Sequence, residues 1–261
     1  MAAADEFDGF LIDLDGVVWV GREPIAGSAE ALETLIESGK EIVFVTNNPG
    51  RPPATYAERL REAGVPVAED RIVTAGVATA RLAAELVGAG SSAFAIGAPA
   101  FHQTVAEAGL RLLEGEGGRG ADAVLVSGHR GFDYEELLTA TLALQNGAEL
   151  FATSRDPTLP MPGGAWPGTG SILAAVETAS GARAEIGGKP ERHLFDQARA
   201  LISEAQRVAM VGDRVSSDIE GGRRAGLATI LVLSGASSRE EAAAADPAPD
   251  LVLDDLAALL A

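Results

Sequence analysis

The feature that most constrains the fold is the alternation of short apolar runs with amphipathic stretches along most of the 261 residues. Runs at residues 9–12, 41–46 and 207–212 end in polar residues or glycine, which is typical of buried β-strands. The stretches at 29–37 and 55–63 have helical spacing of apolar residues and are followed by glycine. Continuous apolar strands that alternate with helices predict a parallel sheet covered on both faces. We therefore expect an α/β fold with a Rossmann-like, three-layer core.

The middle of the chain predicts a second domain of the same class. Further strands are predicted at residues 93–96, 123–127, 150–153, 228–233 and 251–253. The first three of these fall in a block that could be an α/β domain inserted into the first. We expect the core to comprise residues 1–77 and 186–261, with an inserted α/β cap domain at 78–185.

Two segments of this block lack a regular pattern. Residues 114–120 (EGEGGRG) predict a flexible loop, and their G-x-G-x-x-G match precedes a strand, so the dinucleotide-binding interpretation fails. Residues 156–170 predict a long Pro/Gly loop. Trp166 in that loop could stack on a substrate ring, although packing against the core is commoner. Arg130 could meet a substrate anion or be solvated.

Composition and charge exclude several classes of protein. The formal net charge of −18 disfavours binding to nucleic acid and to anionic membranes. No apolar run reaches the roughly 18 residues that span a bilayer, and the acidic N-terminus does not resemble a signal peptide. A cytoplasmic location is therefore expected. The absence of cysteine excludes disulfides and thiolate chemistry.

The strongest candidate site residues are Asp13 and Asp15, which directly follow the first predicted strand. Two carboxylates at such a turn can face one ligand, and Gly16 would let the backbone approach a phosphate closely. An Asp-x-Asp pair is common, however, so this segment alone is only moderately specific.

Three other segments have polar residues next to a predicted strand end or helix start. They are Thr46-Asn47-Asn48, Gly188-Lys189-Pro190 with Pro190 in the first turn of a helix, and a later strand end with Asp213 and Asp218. Each has an ordinary explanation: turn or cap residues, a solvated lysine, a helix N-cap or an exposed helix face. Ligands bind beyond the carboxyl ends of parallel strands, so together these segments predict one site.

In this order, the four segments resemble the four motifs of the haloacid-dehalogenase superfamily of phosphatases. The spacing is similar to the nitrophenyl-phosphatase and phosphoglycolate-phosphatase branch, which includes the NagD-type enzymes. Residues 151–153, 162–164, Gly168 and Gly170 resemble the segment that joins cap to core in that branch. The branch carries a large α/β cap between the second and third motifs, where this chain has its middle block.

The resemblance implies a role for each candidate. Asp13 would be the nucleophile that forms an acyl phosphate. Asp15 would be the general acid that protonates the leaving oxygen and then the base for water. Thr46 and Lys189 would hold phosphoryl oxygens. The list of expected phosphate-binding residues is Asp15, Gly16, Thr46, Asn47, Asn48 and Lys189.

The charge of the candidate carboxylates predicts a metal ion at the same site. Several carboxylates would surround a substrate of about −1.5 to −2 charge, so a cation is required to offset the repulsion. An all-oxygen site suits Mg²⁺. The expected ligands are Asp13, Asp213 and Asp218, and the resemblance adds the Asp15 backbone carbonyl. Asp218 could bind the ion directly or orient a bound water.

These inferences predict a magnesium-dependent phosphatase, a phosphoric monoester hydrolase, that acts through an aspartyl phosphate. Candidate substrates are phosphoglycolate, nucleoside monophosphates, sugar phosphates and nitrophenyl phosphate. A phosphotransferase using the same phospho-aspartate and a non-catalytic phospho-ligand binding protein are the alternatives. No nucleic-acid or membrane partner is expected, and a homodimer could form.

Overall fold

The computed structural model describes residues 2–161 and 164–261. The strands, in chain order, are β1 Gly9–Asp13, β2 Trp19–Val20, β3 Glu23–Pro24, β4 Glu41–Thr46, β5 Ile72–Thr74, β6 Ser92–Ile96, β7 Arg111–Leu112, β8 Ala123–Val126, β9 Glu149–Ala152, β10 Thr158–Met161, β11 Gly164–Pro167, β12 Glu185–Ile186, β13 Val208–Gly212, β14 Ala228–Val232 and β15 Leu251–Leu253. The helices are α1 Ser28–Glu37, α2 Pro53–Glu62, α3 Ala75–Val87, α4 Pro99–Glu107, α5 Tyr134–Gln145, α6 Thr169–Ser180, α7 Arg192–Ala200, α8 Glu220–Arg224 and α9 Arg239–Ala244.

The chain divides into two compact units. The first comprises the chain up to Thr46, Pro53–Val73 and Lys189–Ala261, and the second comprises Asn47–Pro52 and Thr74–Gly188. The cap boundaries at residues 78 and 185 stay a prediction.

The main sheet of the first unit has the strand order β15-β14-β13-β1-β4-β5. Strand β1 pairs parallel with both β13 and β4, so the direction of winding reverses at β1. Strands β1 and β13 are buried along their whole length, as expected for a sheet covered on both faces. A crevice for ligands is expected beyond the carboxyl ends of the strands at such a reversal point.

The second unit has its own parallel sheet with the order β12-β9-β8-β6-β7. Strands β6, β8 and β9 pair in parallel, and all four residues of β8 are buried. Two parallel sheets of six and five strands confirm the predicted fold class, a Rossmann-like α/β core with an inserted α/β cap domain.

Three local predictions were wrong. Residues 115–120 form a 3-10 helix instead of a flexible loop. The Pro/Gly segment contains the antiparallel pair β10–β11, which pairs Leu159 with Trp166; Pro162 and Gly163, part of the cap-to-core resemblance, lie outside the described residues. Pro190 precedes α7, whose N-cap is Glu191, so it does not lie in the first turn.

None of the helices within residues 2–161 and 164–261 combines the length and the apolar character needed to cross a bilayer.

Candidate active site

Neighbouring strands of the first unit bring three of the predicted residues to one edge of the sheet. Asp13 is the last residue of β1, Thr46 is the last residue of β4, and Asp213 directly follows β13. The register pairs Asp13 with Val45 in β4, so Thr46 lies one residue beyond Asp13. The carboxyl ends of the strands therefore place these side chains together, at the reversal point of the winding.

Lys189 lies inside this cluster. Its Nζ is 2.7 Å from Asp13 Oδ1 and 2.7 Å from Asp218 Oδ1, and its side chain is 2% exposed. The alternative of a solvated surface lysine is therefore wrong. A compact ammonium group between two carboxylates is the arrangement expected of a lysine that holds negative charge.

Asp218 and Asp213 are fixed by backbone donors. Asp218 lies in a π-helical turn, Val215–Ile219, and is fully buried, so the alternative of an exposed helix face is wrong. Its Oδ2 accepts a hydrogen bond from the Arg214 N–H at 3.0 Å. Asp213 Oδ2 accepts one from the Ala236 N–H at 2.7 Å. A backbone N–H thereby orients each carboxylate.

The cluster carries an excess of negative charge. Oxygen atoms of Asp13, Asp213 and Asp218 lie within 4.8 Å of one another. Burial, with the repulsion of the other two carboxylates, raises the pKa of Asp13 to about 8, although Lys189 lowers it. Burial and the Asp218 carboxylate raise the pKa of Asp213 to about 6, although the Ala236 N–H lowers it. Burial and mutual repulsion thus oppose ionisation of these carboxylates, and full ionisation of the cluster would leave a deficit of positive charge.

A divalent cation fits this deficit. Among the residues that the structure describes, Asp213 Oδ1 is buried and accepts no hydrogen bond, so a ligand atom is in place without a partner. Three ionised carboxylates and one ammonium group sum to two negative charges, which a divalent ion would neutralise. The donors are all oxygen atoms, the type preferred by Mg²⁺ and Ca²⁺. The residues present therefore fit a divalent metal.

The turn after β1 presents the second acidic residue. Asp15 is exposed, and its Oδ1 accepts a hydrogen bond from Trp19 Nε1 at 3.0 Å. Gly16 has φ +89°, and a Cβ added there would lie 2.3 Å from Asp213 Oδ2. Only glycine allows this turn to pass so close to the carboxylate cluster.

The predicted residues Asn47 and Asn48 belong to the second unit, so their role in binding phosphate stays a prediction. Within that unit, Asn48 Oδ1 accepts a hydrogen bond from the Gly50 N–H at 3.1 Å. A Cβ added to Gly188 would lie 2.8 Å from Asn47 Oδ1, so the second and third predicted segments meet there.

Sequence reasoning missed the segment after β14. The Ser234 hydroxyl donates to the Gly16 carbonyl oxygen at 2.7 Å, and the Ala236 N–H holds Asp213. A Cβ on Gly235 would lie 2.1 Å from Asp213 Oδ2. Small residues directly after a buried strand were the available signal, because they allow one loop to pack against another at this edge.

Arg130 and Trp166 contact each other in the second unit. The Arg130 guanidinium lies 4.2 Å from the centre of the Trp166 ring, a cation–π contact. His129 Nε2 and Glu136 Oε2 share a hydrogen bond of 2.9 Å. Trp166 therefore packs against Arg130, a contact that was not predicted from the sequence.

The fold and the cluster together define an α/β protein with an aspartate–lysine site suited to a divalent metal and an anionic ligand. The family model described as haloacid dehalogenase-like hydrolase matches residues 10–111, and a second, HAD-hydrolase-like, matches 186–259. A 5'-nucleotidase of Bacillus subtilis is 35% identical over 90% of this chain and 90% of its own length. The chain belongs to the haloacid dehalogenase-like hydrolase family.

Solved structures agree with this assignment. The glycerol phosphate phosphatase of Mycobacterium tuberculosis, in complex with magnesium, superposes with a TM-score of 0.91 at 35% identity, covering 100% of this chain and 78% of that one. A p-nitrophenyl phosphatase from Archaeoglobus fulgidus gives a TM-score of 0.89 at 31% identity, covering 97% and 98%. The predicted family, its nitrophenyl-phosphatase branch and the enzyme class, a phosphoric monoester hydrolase, are confirmed.

Gly16→Ala should weaken divalent metal binding about 10- to 100-fold, the range typical when groups that orient ligands are disturbed. The added methyl group would displace the Asp213 carboxylate, and the positive φ should also cost about 1–3 kcal/mol of stability. Titration calorimetry with Mg²⁺ measures the first effect and thermal unfolding the second.

Gly64→Ala is the matched control. Gly64 has φ +92°, and no described residue lies within 4 Å of a Cβ added there. This variant should lose stability through backbone strain while binding metal normally. Equal metal affinity in both variants would contradict the role assigned to Gly16.

Proposed function

We propose that this chain is a magnesium-dependent phosphatase that hydrolyses small phosphomonoesters through an aspartyl phosphate at Asp13. The observation that carries the proposal is the position of Asp13, at a strand end, 2.7 Å from Lys189 Nζ and within 4.8 Å of two more buried carboxylates. A carboxylate so placed is suited to attack phosphorus beside a bound cation.

In the first step, an oxygen of Asp13 forms a bond to phosphorus while the bond from phosphorus to the leaving oxygen breaks. Asp15, exposed at the turn after β1, donates a proton to that leaving oxygen. Lys189 and Thr46 hold the phosphoryl oxygens, and Lys189 keeps the Asp13 carboxylate oriented.

In the second step, the Asp15 carboxylate takes a proton from a water molecule. The water oxygen bonds to phosphorus, the acyl-phosphate bond breaks, and the Asp13 carboxylate is restored with release of phosphate. When bound by Asp13, Asp213 and Asp218, Mg²⁺ would offset the negative charge of the carboxylates and the phosphoryl group. The backbone carbonyl of Asp15 is a further proposed ligand.

The proposed substrates are small. Relatives named 5'-nucleotidase, glycerol phosphate phosphatase, acid sugar phosphatase and p-nitrophenyl phosphatase support a nucleoside monophosphate, a polyol or sugar phosphate, or an aryl phosphate. We propose that residues 78–185 act as a cap that selects among them. The net charge of −18 supports the absence of nucleic-acid partners.

Hydrolysis of nitrophenyl phosphate tests the function. We expect phosphate release that requires Mg²⁺, stops with a chelator and returns when Mg²⁺ is added back. With glycerol present as an acceptor, phosphate should still account for nearly all of the nitrophenol formed. Hydrolysis that continues in excess chelator would exclude the mechanism, and predominant transfer to glycerol would favour a phosphotransferase.

A further inference from the structure

The Trp19 indole contacts the proposed general acid directly. Its Nε1 donates to Asp15 Oδ1 at 3.0 Å. The turn between the two residues is closed by the Gly16 N–H, which donates to the Trp19 carbonyl oxygen at 2.7 Å. Trp19 is 1% exposed, whereas Asp15 is exposed. A buried donor thus holds a carboxylate that otherwise faces solvent.

Trp19 is itself fixed from two sides. Strand β2 pairs it with Pro24 of β3. The Arg59 guanidinium lies 3.8 Å from the centre of the indole ring, and Arg59 Nη2 donates to the Gly21 carbonyl oxygen at 2.8 Å. The indole ring therefore packs between the hydrophobic core and the Arg59 guanidinium of α2. This packing sets the direction of the indole N–H.

This geometry determines how Asp15 can act. An indole N–H is a donor only, so the carboxyl oxygen that faces it must accept, and the carbonyl oxygen of a protonated carboxyl group accepts better than its hydroxyl oxygen. This arrangement favours Oδ2 as the oxygen that carries the proton donated by Asp15. Without the indole donor, the exposed carboxyl group could rotate and offer its proton in many directions.

We propose that Trp19 is a positioning residue that fixes Asp15 so that Oδ2 transfers the proton to and from the reacting oxygens. This inference rests on the proposed function, because it requires Asp15 to be the acid. Arg59 supports the same arrangement by holding the indole ring.

The need for an acid depends on the leaving group, which gives a specific readout. Nitrophenolate is a stable anion and leaves with little proton transfer, whereas phenolate and alkoxides are poor leaving groups that need the acid. Substituted phenyl phosphates have similar size and shape, so their comparison isolates this effect from substrate binding.

Trp19→Phe removes the indole N–H and keeps an aromatic ring. We expect kcat/KM to change less than about threefold for nitrophenyl phosphate and to fall about tenfold or more for phenyl phosphate, a part of the roughly 10²- to 10⁴-fold that general acids contribute. Arg59→Met should act in the same direction with a smaller effect. Leu32→Ala, which also truncates a buried side chain of this core, should lower the melting temperature without changing the dependence on leaving group.

Adding Asp15→Asn decides whether the effect passes through Asp15. In that background Trp19→Phe should cause no further loss on phenyl phosphate. An equal loss on both esters, or a full additional loss in the Asp15→Asn background, would overturn the proposal for Trp19. Failure of the proposed function would instead appear in the unmodified enzyme, as hydrolysis of both esters that is absent or independent of Mg²⁺.

Discussion

Asp13→Asn is expected to lower kcat at least about 10³-fold on every phosphomonoester, because the amide cannot form the acyl phosphate. The stability of the metal-free protein should not fall. Burial raises the pKa of Asp13 to about 8, so its negative charge is unfavourable in the folded state. Lys189 keeps a partner in Asp218 at 2.7 Å. The expected variant is inactive, yet at least as stable as the native chain.

Steady-state kinetics with nitrophenyl phosphate and thermal unfolding in chelator measure the two effects. Asp70→Asn is the control, since Asp70 is an exposed aspartate in a short 3-10 helix and its loss should leave both quantities unchanged. Substantial remaining activity in Asp13→Asn, verified as free of deamidated protein by mass spectrometry, would show that another group attacks phosphorus.

Lys189→Met should have the second-largest effect. The substitution leaves Asp13 and Asp218 buried without their shared cation, which is expected to cost about 3–5 kcal/mol of unfolding free energy at neutral pH and to lower kcat at least about 10²-fold. Urea unfolding in chelator and steady-state kinetics with Mg²⁺ provide the measurements.

The stability loss should depend on pH. The folded-state pKa of Asp13 is raised, so the folded protein binds more protons than the unfolded chain and is destabilised as pH rises from about 4 through about 8. Removing Lys189 removes an influence that lowers this pKa, and the native chain and the variant differ in the protonation of Asp13 only near and above pH 8, so the loss should be greater at pH 9 than at pH 6.5. A loss that is the same at both values would contradict this account.

Lys40→Met is the matched control for Lys189→Met. Lys40 Nζ donates to the Phe7 carbonyl oxygen at 2.6 Å, so the variant loses one ammonium group and one hydrogen bond outside the carboxylate cluster. It should cost roughly 1 kcal/mol and leave kcat unchanged.

Much of the site could be predicted from the sequence because several of its functional side chains lie at the ends of strands. Asp13 and Asp213 were predicted from apolar runs that stop at a carboxylate, and the parallel sheet places such ends at one edge. The burial of Lys189 was harder to predict, because a lysine before a proline is equally consistent with a position on the solvated surface. Its burial between two carboxylates follows from packing that no local pattern contains.

The sequence by itself determined the fold class, the family and the identity of the charged residues. The spacing of apolar residues and the order of the short motifs can both be recognised along the chain without knowing which segments pack together. Only the tertiary structure decided which groups touch. The loop after β14 reaches Asp213 through the Ala236 N–H, and Trp19 holds Asp15 through its indole. A hydrogen bond depends on distances of a few tenths of an ångström, and those are set by how separate segments pack together.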